Sequence, residues 1–217
     1  MFNPFAQGGW SNTANPNAGS SGTGPPPQPS IFGALPFMWF KVSGISNLAH
    51  HLLDPTRHPT PMFMTFRFTQ FSPTIMDSIV IANSRTYFHI KTDVPTVGYT
   101  VIHNSANQPT IIIEWLKHPV IEIRDILSKR QTSQWLELPA DKIYRTMTAR
   151  GKTFLWVPDG SYISLYSSGL SAPQTYACVA RGEGAVALEL TSEAIQIGLL
   201  EVAIAAALLL QCGRNID

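Results

Sequence analysis

From Pro61 to Leu190 the chain alternates apolar and polar positions with a period of two, broken at short intervals by turn-forming residues. Met64, Phe66 and Phe68 alternate with Thr65, Arg67 and Thr69, the signature of a strand with one buried face. IMDSIVI and RTYFHIK flank Ala82-Asn83-Ser84, and GYTVIH and TIIIEW flank Asn104 to Pro109. VIEIRDIL reads as one further strand and QWLEL (134–138) as another. YRTMTA and KTFLWV meet at Arg150-Gly151, KTFLWV and SYISLYS at Pro158-Asp159-Gly160, and TYACVAR and AVALELT at Gly182-Glu183-Gly184. About twelve strands result, mostly meandering. With no helices between them to make parallel crossovers, the pattern predicts an antiparallel barrel or sandwich.

The periodicity changes once, near the end. EAIQIGLLEVAIAAALLLQCG (193–213) carries helix signals at both ends. Thr191 or Ser192 caps it, Glu193 complements the dipole, Gly213 suits a left-handed stop and Arg214 the negative end. A helix over 193–211 is predicted. Its apolar residues surround the axis, so it either spans a membrane or is enclosed by protein. Seventeen apolar-rich residues, Ala194 to Leu210, cover roughly 25 Å, short of a hydrocarbon core of about 30 Å. Glu201 would sit near mid-membrane, and Gly198, Ala203, Ala205, Ala206 and Ala207 favour close approach of surrounding backbone. The enclosed alternative is the stronger, with Gly198, Glu201 and Ala205 as core positions. A charge inside a barrel needs a partner, and Arg67, Arg124 and Arg145 are the candidates.

Composition divides the chain. Gly, Pro, Ser and Asn fill 19 of residues 1–30 and no charge precedes Lys41, which predicts a disordered tail. PPPQP (25–29) favours an extended linker. Residues 31–60, with the apolar cluster Phe37-Met38-Trp39-Phe40, read as a partly ordered connector; residues 61–217 form the β-domain. Charged residues are only 13% of the chain and the net charge is +1, so no global bias towards nucleic acid exists. The N-terminus has no secretory pattern and the two cysteines are not closely spaced, so a cytoplasmic, reducing setting is expected.

Candidate chemistry is sparse. No phosphate-binding loop, dinucleotide fingerprint, nucleophile elbow or zinc-protease helix occurs. No catalytic, cofactor or metal site is predicted: His50, His51 and His58 lack a fourth ligand at suitable spacing, and Cys178 and Cys212 read as buried small residues. Glu114-Trp115 and Lys117-His118-Pro119 form the densest polar-aromatic spot, read as a strand end. Charge is uneven, however. Lys117, Arg124, Lys129, Arg130, Lys142, Arg145, Arg150 and Lys152 face only Glu122, Asp125, Glu137 and Asp141 in the same stretch. Either this is a solvated face, or it forms a basic rim able to attract anionic phospholipid headgroups.

FRFTQFSPTIMDSIVIANSRTYFHIKTD, IIIEWLKHPVIEIRD, YRTMTARGKTFLWVPDGSYI and LELTSEAIQIGLLEVAIAAALLLQCGRNID together are similar to an uncharacterised domain family of basidiomycete fungi, over residues 61–217. Many antiparallel strands before one apolar C-terminal helix also resemble the tubby-like barrel of tubby domains, LURP-one-related proteins and phospholipid scramblases. That resemblance implies a mainly β fold of about twelve antiparallel strands enclosing the last helix, and a fungal source, but no activity. The dense phosphoinositide pocket of tubby domains does not map onto this chain. Nor do the cysteine-rich segment and calcium loop of scramblases. The expectation is a non-enzymatic, cytoplasmic interaction module, peripheral at membranes and binding anionic lipid. The alternatives are a scramblase-like protein anchored by its C-terminal helix and, third, an enzyme of unknown class.

Overall fold

The computed structural model describes residues 62–93, 98–169, 174–182 and 184–217. The tail (1–30) and connector (31–60) lie outside them, together with His50, His51 and His58. Thirteen strands among the described residues form one sheet, with every neighbouring pair antiparallel. They are β1 (Phe63–Thr69), β2 (Ser78–Ala82), β3 (Arg85–Thr92), β4 (Tyr99–Asn104), β5 (Pro109–Glu114), β6 (Val120–Ile123), β7 (Leu127–Gln131), β8 (Leu136–Glu137), β9 (Arg145–Ala149), β10 (Lys152–Asp159), β11 (Tyr162–Ser167), β12 (Thr175–Gly182) and β13 (Ala185–Thr191). Turn chemistry sets the reversals. Asn83 and Ser84 both hold positive φ between β2 and β3, as do Arg150 and Gly151 between β9 and β10. Between β4 and β5 the Asn104 side chain accepts from the amides of Ala106 and Gln108, at 3.0 Å each.

Two expectations are corrected here. VIEIRDIL is not one strand: Asp125 adopts a φ of 61° and reverses the chain between β6 and β7. Aspartate tolerates that region better than most residues, so no glycine or proline marks the turn. QWLEL is only partly extended, because its first residues belong to a helical turn, α1 (Thr132–Trp135), and only Leu136–Glu137 pair with β9.

The strand order is β7-β6-β5-β4-β3-β2-β1-β13-β12-β11-β10-β9-β8. The chain winds outward from β1 to β7, resumes at β8, and winds back until β13 pairs with β1. Directions alternate along this order, so the two edges, β7 and β8, run the same way. They are consecutive stretches of one line, separated by the four residues of α1, and they do not pair with each other. The sheet is therefore barrel-like and not closed by hydrogen bonds at this point. α1 fastens both edges instead: the Thr132 amide donates to Pro119 O at 2.8 Å, and Trp135 Nε1 donates to Thr148 O at 3.1 Å.

The inward positions of the strands, among them Phe66, Phe68, Ile90, Ile102, Ile111, Ile113, Trp156 and Leu188, form the wall of the core. Inside lies the C-terminal helix, which differs from the predicted 193–211 by being broken. α2 (Ser192–Gln196) is capped by Thr191 Oγ1, which accepts from the Ala194 amide. Gly198 then takes a φ of +75°, and α3 (Leu200–Gln211) follows. Val202 to Gln211, ten consecutive residues covering every side of the helix, are buried. Hiding Val202, Ile204, Leu208, Leu209 and Leu210 contributes on the order of 10 kcal/mol. No helix among the described residues is long and apolar enough to cross a membrane; α3 spans only about 18 Å.

The enclosure predicts a size limit at Ala205, which is fully buried midway along α3. Ala205→Leu is expected to lower stability by about 1–3 kcal/mol in urea denaturation. An unchanged midpoint would mean that this side of the helix is not enclosed.

Candidate functional site

Because each strand reverses direction, successive turns fall at opposite ends of the barrel. One end receives α2 and the start of α3, and the other releases Cys212–Asp217. The turns β2–β3, β4–β5, β6–β7 and β9–β10 lie at the entry end. The loops β1–β2, β3–β4, β5–β6, β8–β9 and β10–β11 lie at the exit end. Two contacts fix the direction of α3. Arg150 Nε donates to Gly198 O at 3.2 Å at the entry, and Arg145 holds Asp217 at the exit.

This alternation separates the eight basic residues that are clustered in sequence. Lys117 and Lys142 stand exposed on the β5–β6 and β8–β9 loops of the exit end. Arg124, Arg150 and Lys152 are exposed at the entry end. Lys129 and Arg130 lie on the flank, on the edge strand β7. Lys129 pairs with Glu114, and that hydrogen bond, reinforced by charge, raises its pKa above the ordinary lysine value. Arg124 borders a shallow outer depression of about 640 Å³ that it shares with Glu122 and Asp125. The sequence cluster is thus three groups rather than one rim.

Arg145 departs from the basic-rim reading, since its side chain is fully buried; it is an inward arginine, as one of the candidates named for Glu201, but its partner is Asp217. It begins β9 on the inward register with Met147 and Ala149. Its Nη1 donates to Leu136 O and Asp217 Oδ1, and its Nη2 to Asp217 Oδ2, each at 2.8 Å. This planar fork satisfies a carboxylate with two parallel bonds, which a lysine could not do. Arg214 adds a second fastening, with its guanidinium 5.0 Å from the centre of the Trp115 ring. Trp115 Nε1 in turn donates to Thr100 Oγ1 at 2.7 Å. Ile216, between these anchors, is buried. The C-terminal residues therefore plug the exit end.

The other two named core positions also differ. Gly198 is half-buried at the break between helices, not packed in the centre. A Cβ there would approach Arg150 Nε to 2.5 Å, on top of the cost of its left-handed backbone. Glu201 is half-buried in the first turn of α3, where a carboxylate complements the helix dipole. It needs no buried arginine: Arg67 and Arg124 are exposed and Arg145 is held by Asp217.

Comparison with solved structures finds similarity to a protein from Arabidopsis thaliana, at 11% identity and a TM-score of 0.35, covering 68% of this chain and 93% of that one. No protein-family model matches the chain, and no curated protein does.

Reactive groups are few among the described residues. No cluster of three or more His, Cys, Asp or Glu is placed to hold a metal ion there. Burial pushes the thiols of Cys178 and Cys212 up to about 11. A raised thiol pKa keeps the proton on, and the thiolate is the nucleophile. Hydrogen bonds with Ser164 at Cys178, and with the Arg214 amide at Cys212, offset this only in part.

Two outcomes follow. At pH 8, three units below about 11, about one thiol in a thousand is ionised, so maleimide labelling of the folded protein should be slow and should accelerate steadily towards pH 11. Fast labelling at pH 7 would contradict that burial. Asp217→Ala removes the carboxylate from a buried guanidinium and should destabilise by about 3 kcal/mol in chemical denaturation, the lower end for a broken buried pair because Asp217 itself is partly exposed. Arg145→Met, which removes the charge as well, should cost less than Asp217→Ala.

Proposed function

We propose that this chain is a tubby-like barrel acting as a non-enzymatic, cytoplasmic interaction module, peripheral at membranes and attracted to anionic lipid headgroups. One observation carries the reading: seven of the eight basic residues between Lys117 and Lys152 project into solvent, while the interior is filled by apolar side chains around α3. A filled interior holds no substrate. Chemistry with the outside then falls to the surface, where the exposed cations are the main charged feature that sequence and structure share. Near an anionic leaflet each such side chain is worth about 1 kcal/mol. The raised pKa of both cysteines speaks against a thiolate nucleophile at neutral pH. Anchoring by the C-terminal helix, the scramblase-like alternative, finds no support in a twelve-residue α3.

Co-sedimentation with vesicles tests it. The protein should pellet with vesicles containing phosphatidylserine and not with pure phosphatidylcholine. Binding should weaken as salt approaches about 0.5 M, where exposed charges are screened. No binding to phosphatidylserine vesicles at low ionic strength would overturn the lipid reading.

A further inference from the structure

Six large apolar side chains stand exposed among the described residues. Met62 and Phe63 adjoin residues outside the description, at the entry end. The other four are Tyr99 (48% exposed), Leu116 (60%), Ile143 (40%) and Tyr162 (50%), and the topology brings all four to the exit end. Tyr99 begins β4, Leu116 sits on the β5–β6 loop, Ile143 on the β8–β9 loop, and Tyr162 begins β11. In strand order these elements follow one another through the β7–β8 junction, so the four form one arc over about half of that end. Lysines adjoin the two aliphatic tips directly, as Leu116-Lys117 and Lys142-Ile143.

We infer that the exit end is the face that enters the membrane, with Leu116 and Ile143 inserting between lipids, Tyr99 and Tyr162 resting at the interface, and Lys117 and Lys142 on anionic headgroups. The inference rests on the lipid reading above and adds its orientation. The apolar side chains are carried singly, on two separate loops and at the starts of two separate strands, rather than along one continuous element. A fluid bilayer accommodates such isolated tips without shape complementarity. Lysine beside an aliphatic tip places charge at headgroup level while the tip is buried, and tyrosine suits the boundary with its apolar ring and polar hydroxyl. Asp93, Glu137, Asp141 and Asp159 are also exposed at this end, so binding rests on insertion of the apolar tips with the two lysines as local headgroup contacts, not on net charge; the Asp141 carboxylate accepts from the Ile143 amide and shapes its own loop. Among the described residues the entry end has the cations Arg85, Arg124, Arg150 and Lys152, with Met62 and Phe63 as its two exposed large apolar side chains.

The end that would insert is also firmly held. Arg145 with Asp217, Arg214 on Trp115, and buried Ile216 fasten the C-terminal plug at the centre of the arc. The loop next to Trp115 is therefore presented on a fixed base.

The test compares full-length proteins on phosphatidylserine vesicles. Leu116→Ser with Ile143→Ser should weaken partitioning by roughly tenfold or more, because two apolar insertions are lost. Arg124→Ser with Lys152→Ser, at the opposite end, should change it less than about twofold. Undiminished binding by the loop variant, with wild type bound, overturns the orientation and leaves the lipid reading standing. Failure of wild type to bind overturns both. An environment-sensitive fluorophore gives an independent readout on Leu116→Cys or, at the entry end, Arg85→Cys. Vesicles should brighten and blue-shift the first and leave the second unchanged; the reverse pattern overturns the inference. Light scattering covers the remaining occupant. A dimer that the loop variant abolishes, without loss of vesicle binding, would assign the tips to a second copy of the chain.

Discussion

An α-helix that is apolar on every side has no face that can be left to water, and this constraint organises the molecule. One layer of sheet shields one side of a helix; shielding all sides requires a sheet that returns to its beginning. The pairing of β13 with β1 achieves that return, joining the two halves of the meander along a ladder of six residue pairs. The inward side chains of the strands and Val202–Gln211 are then the same core seen from two sides. Neither is stable without the other, since the strands would enclose a void and the helix would expose its full circumference.

Enclosure creates two further problems, at the ends and at the seam. Helix termini carry unpaired backbone groups, and a buried terminus needs partners. At the entry, α2, the Gly198 reversal and the bond from Arg150 handle the approach. At the exit, the chain folds over the opening and is fixed by a bidentate arginine–carboxylate pair and a cation–π contact. The seam arises from parity. An antiparallel ring needs an even number of strands, and thirteen leave two edges with the same direction. α1 resolves this by making β7 and β8 successive parts of one line, one paired with β6 and the other with β9. The buried Trp135 and the Thr132 amide hold the discontinuity shut.

Much of this was legible in the sequence, and the failures share a physical origin. Period-two alternation located the strands because burial of one face is a local signal. Asn83-Ser84 and Arg150-Gly151 marked hairpins because those turns demand left-handed residues. The enclosed helix was legible from Glu201, the small residues and a length too short for a bilayer. What was lost is where local and tertiary preference conflict. Asp125 turns the chain without a glycine. Gly198 reads as a small core residue although its use is conformational. Arg145 could be named as one of three candidate inward arginines but not matched to its partner, because nothing in its neighbourhood reveals a carboxylate 72 residues away.

The basic stretch shows why the candidate site was the least legible part. A run of like charges along a helix or in a tail stays together in space, so counting charges in a window is informative. In a meander of short strands the same window visits both ends of the barrel in turn and alternates inside with outside. Eight cations within 36 residues of sequence, from Lys117 to Lys152, therefore become two at one end, three at the other, two on a flank and one in the core. The quantity that survives folding is not charge per window but charge per end, weighed with what else stands there. By that measure the exit end is distinguished by exposed apolar tips beside its lysines, a combination no linear count contains. For an antiparallel barrel, sorting the loops by the parity of the strands they follow is the step that turns a sequence pattern into a surface.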